Sequence, residues 1–220
     1  EKAGIASSLG SVAGLIKSRG EIKEAEKLYR QSLAIKEELG DKTGIALTVG
    51  NIAGLLKSRG EIKEAEKLYR KSLAIGEELG NKSGTAFMLN KLANVLVERD
   101  ELKEAGDLHD QSLAIREELG EKSGIASSMN NMGHLMQYRG DYKKAETHYN
   151  SSLNIRKKLD EQPRIANTLH EMGRLAMNRG ELDQADALLG DAYKMRKKMG
   201  LTVAQASTML YMGRLEVLKD

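Results

Sequence analysis

The sequence predicts an all-α protein, an α-solenoid of about eleven helices stacked as helix-turn-helix repeats. Three observations carry that reading. The string KSRGEIKEAEKLYR stands at 17–30 and again, unchanged, at 57–70, and the forty-residue register continues through the whole chain. Self-similarity at such a period marks an array of supersecondary units. Each unit holds two stretches with apolar residues at helical spacing, parted by a short turn. A single proline, Pro163, in 220 residues leaves long stretches free to be helical.

Five full units follow without a gap, at 1–40, 41–80, 81–120, 121–160 and 161–200, and a terminal helix occupies 201–220, all one repeat array over 1–220. LAIKEELG at 33–40 returns as LAIGEELG, LAIREELG and LNIRKKLD at forty-residue intervals, then fades to YKMRKKMG at 193–200. In the first unit the earlier helix places Ile5, Leu9, Val12, Ala13 and Ile16 on one side. The later helix does the same with Ile22, Ala25, Leu28, Tyr29 and Leu33. Between them Gly20 can take the left-handed conformation that ends a helix, and Glu21 meets the positive end of the next. Gly60, Gly140 and Gly180 repeat the device, and Asp100 replaces it once. Gly40, Gly80, Gly120 and Gly200 close the second helices. Asp41 and Asn81 are then placed to cap the helices that follow, and Pro163 falls in a first turn. Each helix should run for about 15–18 residues, about 24 Å.

One hairpin cannot cover both of its apolar sides, so neighbouring units must stack into a continuous core. Small residues recur where helices should touch most closely: Ala13, Ala53, Ala93, Gly133, Gly173 and Gly213 in first helices, and Ala25, Ala65, Ala105, Ala145 and Ala185 in second helices.

These residues together resemble the tetratricopeptide repeat. The run Leu9, Val12-Ala13, Ile16, Gly20, Ile22, Ala25, Tyr29, Ser32 follows its spacing, and the fourth unit comes closest with Met132-Gly133, Arg139-Gly140-Asp141-Tyr142, Ala145 and Tyr149. Two features depart from the usual pattern: aliphatic residues replace the aromatic ones of the first helix, and the period is forty rather than thirty-four. The longer form is similar to the repeats of kinesin light chains and of spindle-orientation adaptors, and of many bacterial and archaeal regulators. The resemblance implies a right-handed superhelix whose first helices line a concave groove. It also implies a non-catalytic scaffold that holds a peptide or helix of a partner protein.

The resemblance places the groove at unit positions 7, 10, 14, 17 and 18. Units one and two present a nearly bare wall there, with Ser7, Gly10, Gly14, Lys17 and Ser18, then Leu47, Gly50, Gly54, Lys57 and Ser58. The peptide-binding candidates lie further on: Phe87, Asn90 and Asn94 in unit three, Asn130, His134 and Tyr138 in unit four, Asn167, His170, Arg174 and Asn178 in unit five, and Arg214 in the terminal helix. An Asn amide can pair with both the C=O and the N–H of an extended peptide, and Asn90 and Asn94 stand one turn apart. Arg174 and Arg214 share a unit position and suit a carboxylate, which guanidinium grips as a planar fork.

Other chemistries find less support. No cysteine is present, so disulfides, thiolate metal sites and a cysteine nucleophile are excluded. Two histidines, His134 and His170, without a nearby carboxylate make a poor zinc site. No phosphate loop, nucleophile elbow or paired-carboxylate constellation occurs, so neither cofactor, metal nor catalysis is expected. His109 and His148 read as packing substitutions, and Met129, Met132, Met136, Met172, Met209 and Met212 as core filler. The formal net charge of +3 argues against nucleic acid or lipid as partner, although Arg156-Lys157-Lys158 and Arg196-Lys197-Lys198 would form a basic ridge. No apolar run is long enough to span a membrane. The chain begins at Glu1 with no signal-like segment, which together with the missing cysteines fits an excised fragment of a cytoplasmic protein. In the terminal helix, Leu210, Tyr211, Val217 and Leu218 are expected to be exposed and open to self-association. The alternative to peptide capture is therefore a structural or self-assembling module, and a further one is the sensor half of a larger signalling protein.

Overall fold

The computed structural model describes residues 1–219, and among these every element is an α-helix. They fall into two compact units, 1–115 and 116–220, with the division late in the sixth helix. The first holds α1 (Lys2–Ser18), α2 (Ile22–Glu38), α3 (Lys42–Ser58), α4 (Ile62–Glu78), α5 (Lys82–Glu98) and most of α6 (Leu102–Glu118). The second holds α7 (Lys122–Tyr138), α8 (Tyr142–Lys158), α9 (Gln162–Asn178), α10 (Leu182–Lys198) and α11 (Thr202–Lys219). Consecutive helices are joined by three-residue turns, and within each unit they pack against one another, the α-solenoid arrangement of helix-turn-helix repeats read from the period. No described helix is long and apolar enough to cross a membrane.

The turn chemistry follows the sequence. Gly20 has φ +86°, and the Glu21 N–H returns to the Ile16 carbonyl at 3.3 Å, closing α1. Asp100 adopts the same left-handed region at φ +64°. Asp41 Oδ1 accepts from the Gly44 N–H at 2.9 Å and Asn81 Oδ1 from the Gly84 N–H at 3.0 Å, capping α3 and α5. Pro163 lies in the first turn of α9, where its missing N–H costs nothing.

Close packing falls on the small residues. Ala13, Ala53 and Ala93 in first helices and Ala25, Ala65, Ala105, Ala145 and Ala185 in second helices are fully buried. A Cβ on Gly133 would meet the Tyr149 ring at 2.7 Å, and one on Gly173 would meet Leu189 Cγ at 2.7 Å. Gly213 differs from expectation: nothing lies within 4 Å of it, because that side of α11 faces an open cleft.

A serine clip fixes the two helices of each pair. Ser32, Ser72 and Ser112, and Ser152 in the second unit, each donate to the carbonyl of Ala6, Ala46, Ala86 or Ala126 at 2.7 Å. Ala192 takes this position in α10 and is also buried. On the exposed side, the turn arginines reach back one repeat. Arg59 bridges Glu26 and Glu61, Arg99 bridges Glu66 and Glu101, and Arg179 bridges Glu146 and Glu181. Such exposed pairs contribute up to about 1 kcal/mol each.

Candidate functional site

Of the residues expected to meet a ligand, three lie in the first compact unit. Phe87 is 45 % exposed on α5, with the Lys91 ammonium 5.0 Å above its ring. Asn94 is half-buried one turn beyond Asn90. Asn90 itself is 4 % exposed, and its amide is engaged internally: Nδ2 donates to Ser112 Oγ at 2.8 Å and Oδ1 accepts from His109 Nδ1 at 2.7 Å. His109 is fully buried, as a packing substitution should be, and Asn90 supplies the polar partner that a buried imidazole requires.

In the second unit the candidates divide into two groups. Asn130 and Asn167 serve buried arginines. Asn130 Oδ1 accepts from Thr168 Oγ1 at 3.1 Å and from Arg156 Nη1 at 3.3 Å, and Asn167 Oδ1 accepts from Arg196 Nη2 at 2.8 Å. Arg156 and Arg196 are each 5 % exposed and reach into the following helix, to Thr168 and the Arg164 carbonyl and to Thr208 and the Ala204 carbonyl. Burial holds both guanidinium pKa values down, Arg156 to about 10. The basic ridge expected from these triplets therefore loses its arginines to the interior, leaving the flanking lysines exposed.

The same position carries Lys36, which donates to Thr48 at 2.8 Å, and Arg116, which pairs with Glu121 at 2.7 Å. Sequence reasoning missed these buried cations. Their signal was available: a cation at 36, 116, 156 and 196 with a hydroxyl twelve residues on, at Thr48, Ser128, Thr168 and Thr208. The repeat that breaks the pattern breaks both halves of it, with Gly76 and Met88. Met88 instead packs its methyl against Gly50.

The second group gathers around Tyr211. His134 and Tyr138 stand apart from it, their rings 5.5 Å from each other on α7, with Tyr138 exposed. On α9, His170 is buried edge-on against the Tyr211 ring at 5.2 Å, and its Nδ1 has no hydrogen-bond partner among the described residues. Burial, then the charges of Arg196 and Arg174, push its pKa down to about 4, so the imidazole is neutral at pH 7. Arg174 Cζ lies 4.9 Å from the Tyr211 centroid and Arg214 Cζ 5.7 Å from it. Arg174 is also held by Glu171 at 2.8 Å.

Tyr211 and the two arginines border an open cleft of about 810 Å³ between α9 and α11, whose lining also includes Met177, Asn178 and Met209. Met209 is 55 % exposed there rather than serving as core filler. An aromatic ring with two guanidiniums close to it, beside flexible thioethers, can take an apolar side chain and a carboxylate together. Among the described residues, no group of three or more His, Cys, Asp or Glu is placed to hold a metal ion.

Comparison with known proteins fits the repeat fold. The tetratricopeptide repeat profile matches residues 4–78, 84–158 and 124–198. The chain belongs to the tetratricopeptide repeat family. Among solved structures it is similar to BtubC (BKLC) from P. vanneervenii, with a TM-score of 0.72 and 23% identity over 90% of this chain and 82% of that one. It is also similar to a putative kinesin light chain of Podosopora anserina with nearly identical TPR-like repeats, with a TM-score of 0.67 and 20% identity over 91% and 98%. The apo form of RapI gives a TM-score of 0.77 at 16% identity over 100% and 81%. At these identities the likeness concerns the fold. No match emerged among curated protein sequences. Tetratricopeptide repeats are typical of protein-interaction scaffolds, which is the setting for the cleft around Tyr211.

Proposed function

We propose that this tetratricopeptide protein is a non-catalytic scaffold that captures a peptide of a partner protein, and that in residues 116–220 the contact is the cleft between α9 and α11. The observation that carries the reading is the pair of guanidiniums, Arg174 at 4.9 Å and Arg214 at 5.7 Å from the Tyr211 ring, beside an apolar cleft. It favours a segment that pairs an acidic side chain with an apolar one. Asn178 at the cleft edge is free to read backbone. Phe87, Asn94, His134 and Tyr138 remain proposed contacts on the first helices. His170 supports the site from inside through its ring contact with Tyr211, whereas Asn90, Asn130 and Asn167 are engaged in the hydrogen bonds described above.

The test is selection from a displayed random-peptide library, followed by titration of the selected peptides onto Arg174→Ala/Arg214→Ala. The expected outcome is acidic peptides that lose at least about tenfold in affinity on the double change, as for charge-assisted hydrogen bonds, with melting temperature unaltered. Equal affinity for wild type and variant would remove the cleft from the reading.

A second reading is favoured by the apolar face of α11, where Val203 is 80 % and Val217 76 % exposed, with Leu210 and Leu218 beside them. Exposed apolar patches of this kind mark association surfaces. A second copy docking there predicts a concentration-dependent dimer in sedimentation velocity, abolished by Val217→Glu. A sedimentation coefficient independent of concentration would dismiss it.

A further inference from the structure

The glycine wall of the first two repeats presents groups that the scaffold reading does not use. Tyr69 is 3 % exposed and Tyr29 5 %, yet among the described residues neither hydroxyl has a hydrogen-bond partner. Each points at a gap left by a glycine. The place where a Cβ would sit on Gly14 is 3.5 Å from Tyr29 Oη, and on Gly54 it is 3.3 Å from Tyr69 Oη. In the fourth repeat the equivalent hydroxyl, Tyr149 Oη, is satisfied by Gln137 Oε1 at 3.0 Å. The first two repeats carry Lys17 and Lys57 in place of Gln137, and a lysine offers a phenol no acceptor. The phenol ring is buried, but its hydroxyl opens onto a gap among ammonium groups, where an acceptor from outside can reach it.

The cations converge on that gap. Lys17 Nζ, from α1, lies 3.7 Å from the same point above Gly54 on α3. Lys91, half-buried on α5 over Phe87, feels both Lys17 and Lys57, which add to burial in lowering its pKa. Lys57 is paired with Glu98 at 2.7 Å, whereas Lys17 and Lys91 have no carboxylate partner among the described residues. Three ammoniums against one carboxylate leave an excess of two positive charges over a glycine that lets a ligand approach the helix backbone.

We propose that residues 1–115 carry an oxyanion site over Gly54, in which the Lys17, Lys57 and Lys91 ammoniums and the Tyr69 hydroxyl take a doubly charged group, a phosphoryl or a pair of carboxylates. The site is separate from the cleft around Tyr211 and stands or falls without it. Lysine and phenol supply point-like donors rather than the planar fork of arginine, so the site holds charge without demanding one geometry.

The experiment titrates the full chain, at low ionic strength, with inorganic phosphate in one arm and a hexaglutamate peptide in the other. Binding is followed by calorimetry and by the backbone amide shift of Gly54. Binding in the phosphate arm identifies a phosphoryl source, and binding in the peptide arm alone identifies side-chain carboxylates. Tyr69→Phe removes only the hydroxyl and should weaken binding about tenfold, the value of a hydrogen bond to a charged group. Lys17→Ala/Lys91→Ala should abolish it, and Arg174→Ala/Arg214→Ala should leave it intact. The exposed pair Lys63→Ala/Lys67→Ala on α4 controls for net charge. Absence of binding in both arms overturns the proposal. So does a Tyr69→Phe variant that binds like wild type, or a Lys63/Lys67 variant that loses as much as Lys17/Lys91.

Discussion

Two stretches of first helix, one from each compact unit, use glycine in opposite ways. In residues 1–115 the repeats read Ala13-Gly14 and Ala53-Gly54, and in residues 116–220 they read Gly133-His134 and Gly173-Arg174. The glycine has moved by one position, which on a helix is a rotation of about 100°. At Gly133 and Gly173 it faces the second helix and admits Tyr149 or Leu189 to a distance no Cβ would allow. At Gly14 and Gly54 it faces outward and leaves a tyrosine hydroxyl uncovered. The same residue type is a packing device in one region and a window in the other. The side chain then placed at the outward position, His134 or Arg174 rather than hydrogen, turns a bare wall into one that carries a ring or a guanidinium.

The comparison breaks most visibly with pH. The decorated region rests on a buried neutral imidazole. His170 has its pKa pushed from 6.5 down to about 4 by burial and by Arg196 and Arg174, with the Tyr211 ring against it. The unfolded chain therefore binds the proton more readily than the folded one. The stability contributed is complete above pH 6.5 and is lost as pH falls toward 4, by at most about 3 kcal/mol at 1.36 kcal/mol per pKa unit. His170→Phe should flatten that part of the acid limb. The check is the difference in urea midpoint between pH 7 and pH 4.5, compared for the two proteins; equal differences would mean that His170 titrates normally.

A smaller effect isolates the packing glycine. In Gly133→Ala the new methyl would lie 2.7 Å and 2.8 Å from Cε1 and Cδ1 of Tyr149, a fully buried ring with no free end to swing away. Overpacking of about 3 kcal/mol, offset by about 1 kcal/mol of improved helix propensity, leaves a net destabilisation of about 2 kcal/mol. Denaturant unfolding reads it directly. The strained Tyr149–Gln137 hydrogen bond should also show as faster exchange of nearby amides on α7.

How far this was legible in the sequence follows from the same residues. Helix ends, caps and the buried alanines were all readable, because each depends on a local rule repeated at forty-residue intervals. The role of Asn90 was not. Its position matches a ligand-facing one, but a histidine nineteen residues later, at a site where other repeats carry tyrosine or leucine, claims its amide. The arginines of the triplets 156–158 and 196–198 misled in the same way: composition shows three cations in a row, and only helical phase tells that the first faces inward. Tyr211 was read as exposed apolar surface, and nothing in its own repeat shows that Arg174 of the preceding one stacks on it. Tertiary partners drawn from other repeats decide these side chains, and a period reveals where they fall without revealing what they meet.

The smallest expected effect has the opposite sign and sharpens the contrast most. Gly14→Ala makes the same chemical change as Gly133→Ala, one position along the repeat. Its methyl would meet only Tyr29 Oη, at 3.5 Å, an ordinary van der Waals contact. With no overpacking to oppose it, the gain in helix propensity should appear nearly whole, a stabilisation of about 1 kcal/mol. Gly54→Ala should gain less, since Tyr69 Oη at 3.3 Å must give way slightly. Because the methyl at residue 14 leaves the space over Gly54 open, Gly14→Ala should also bind phosphate like wild type, while Gly54→Ala, which fills it, should not. Paired unfolding and titration curves for the two variants separate a glycine that only weakens its helix from one that holds a site open. A Gly14→Ala variant less stable than wild type would mean that the outward glycines of the first unit are packed after all.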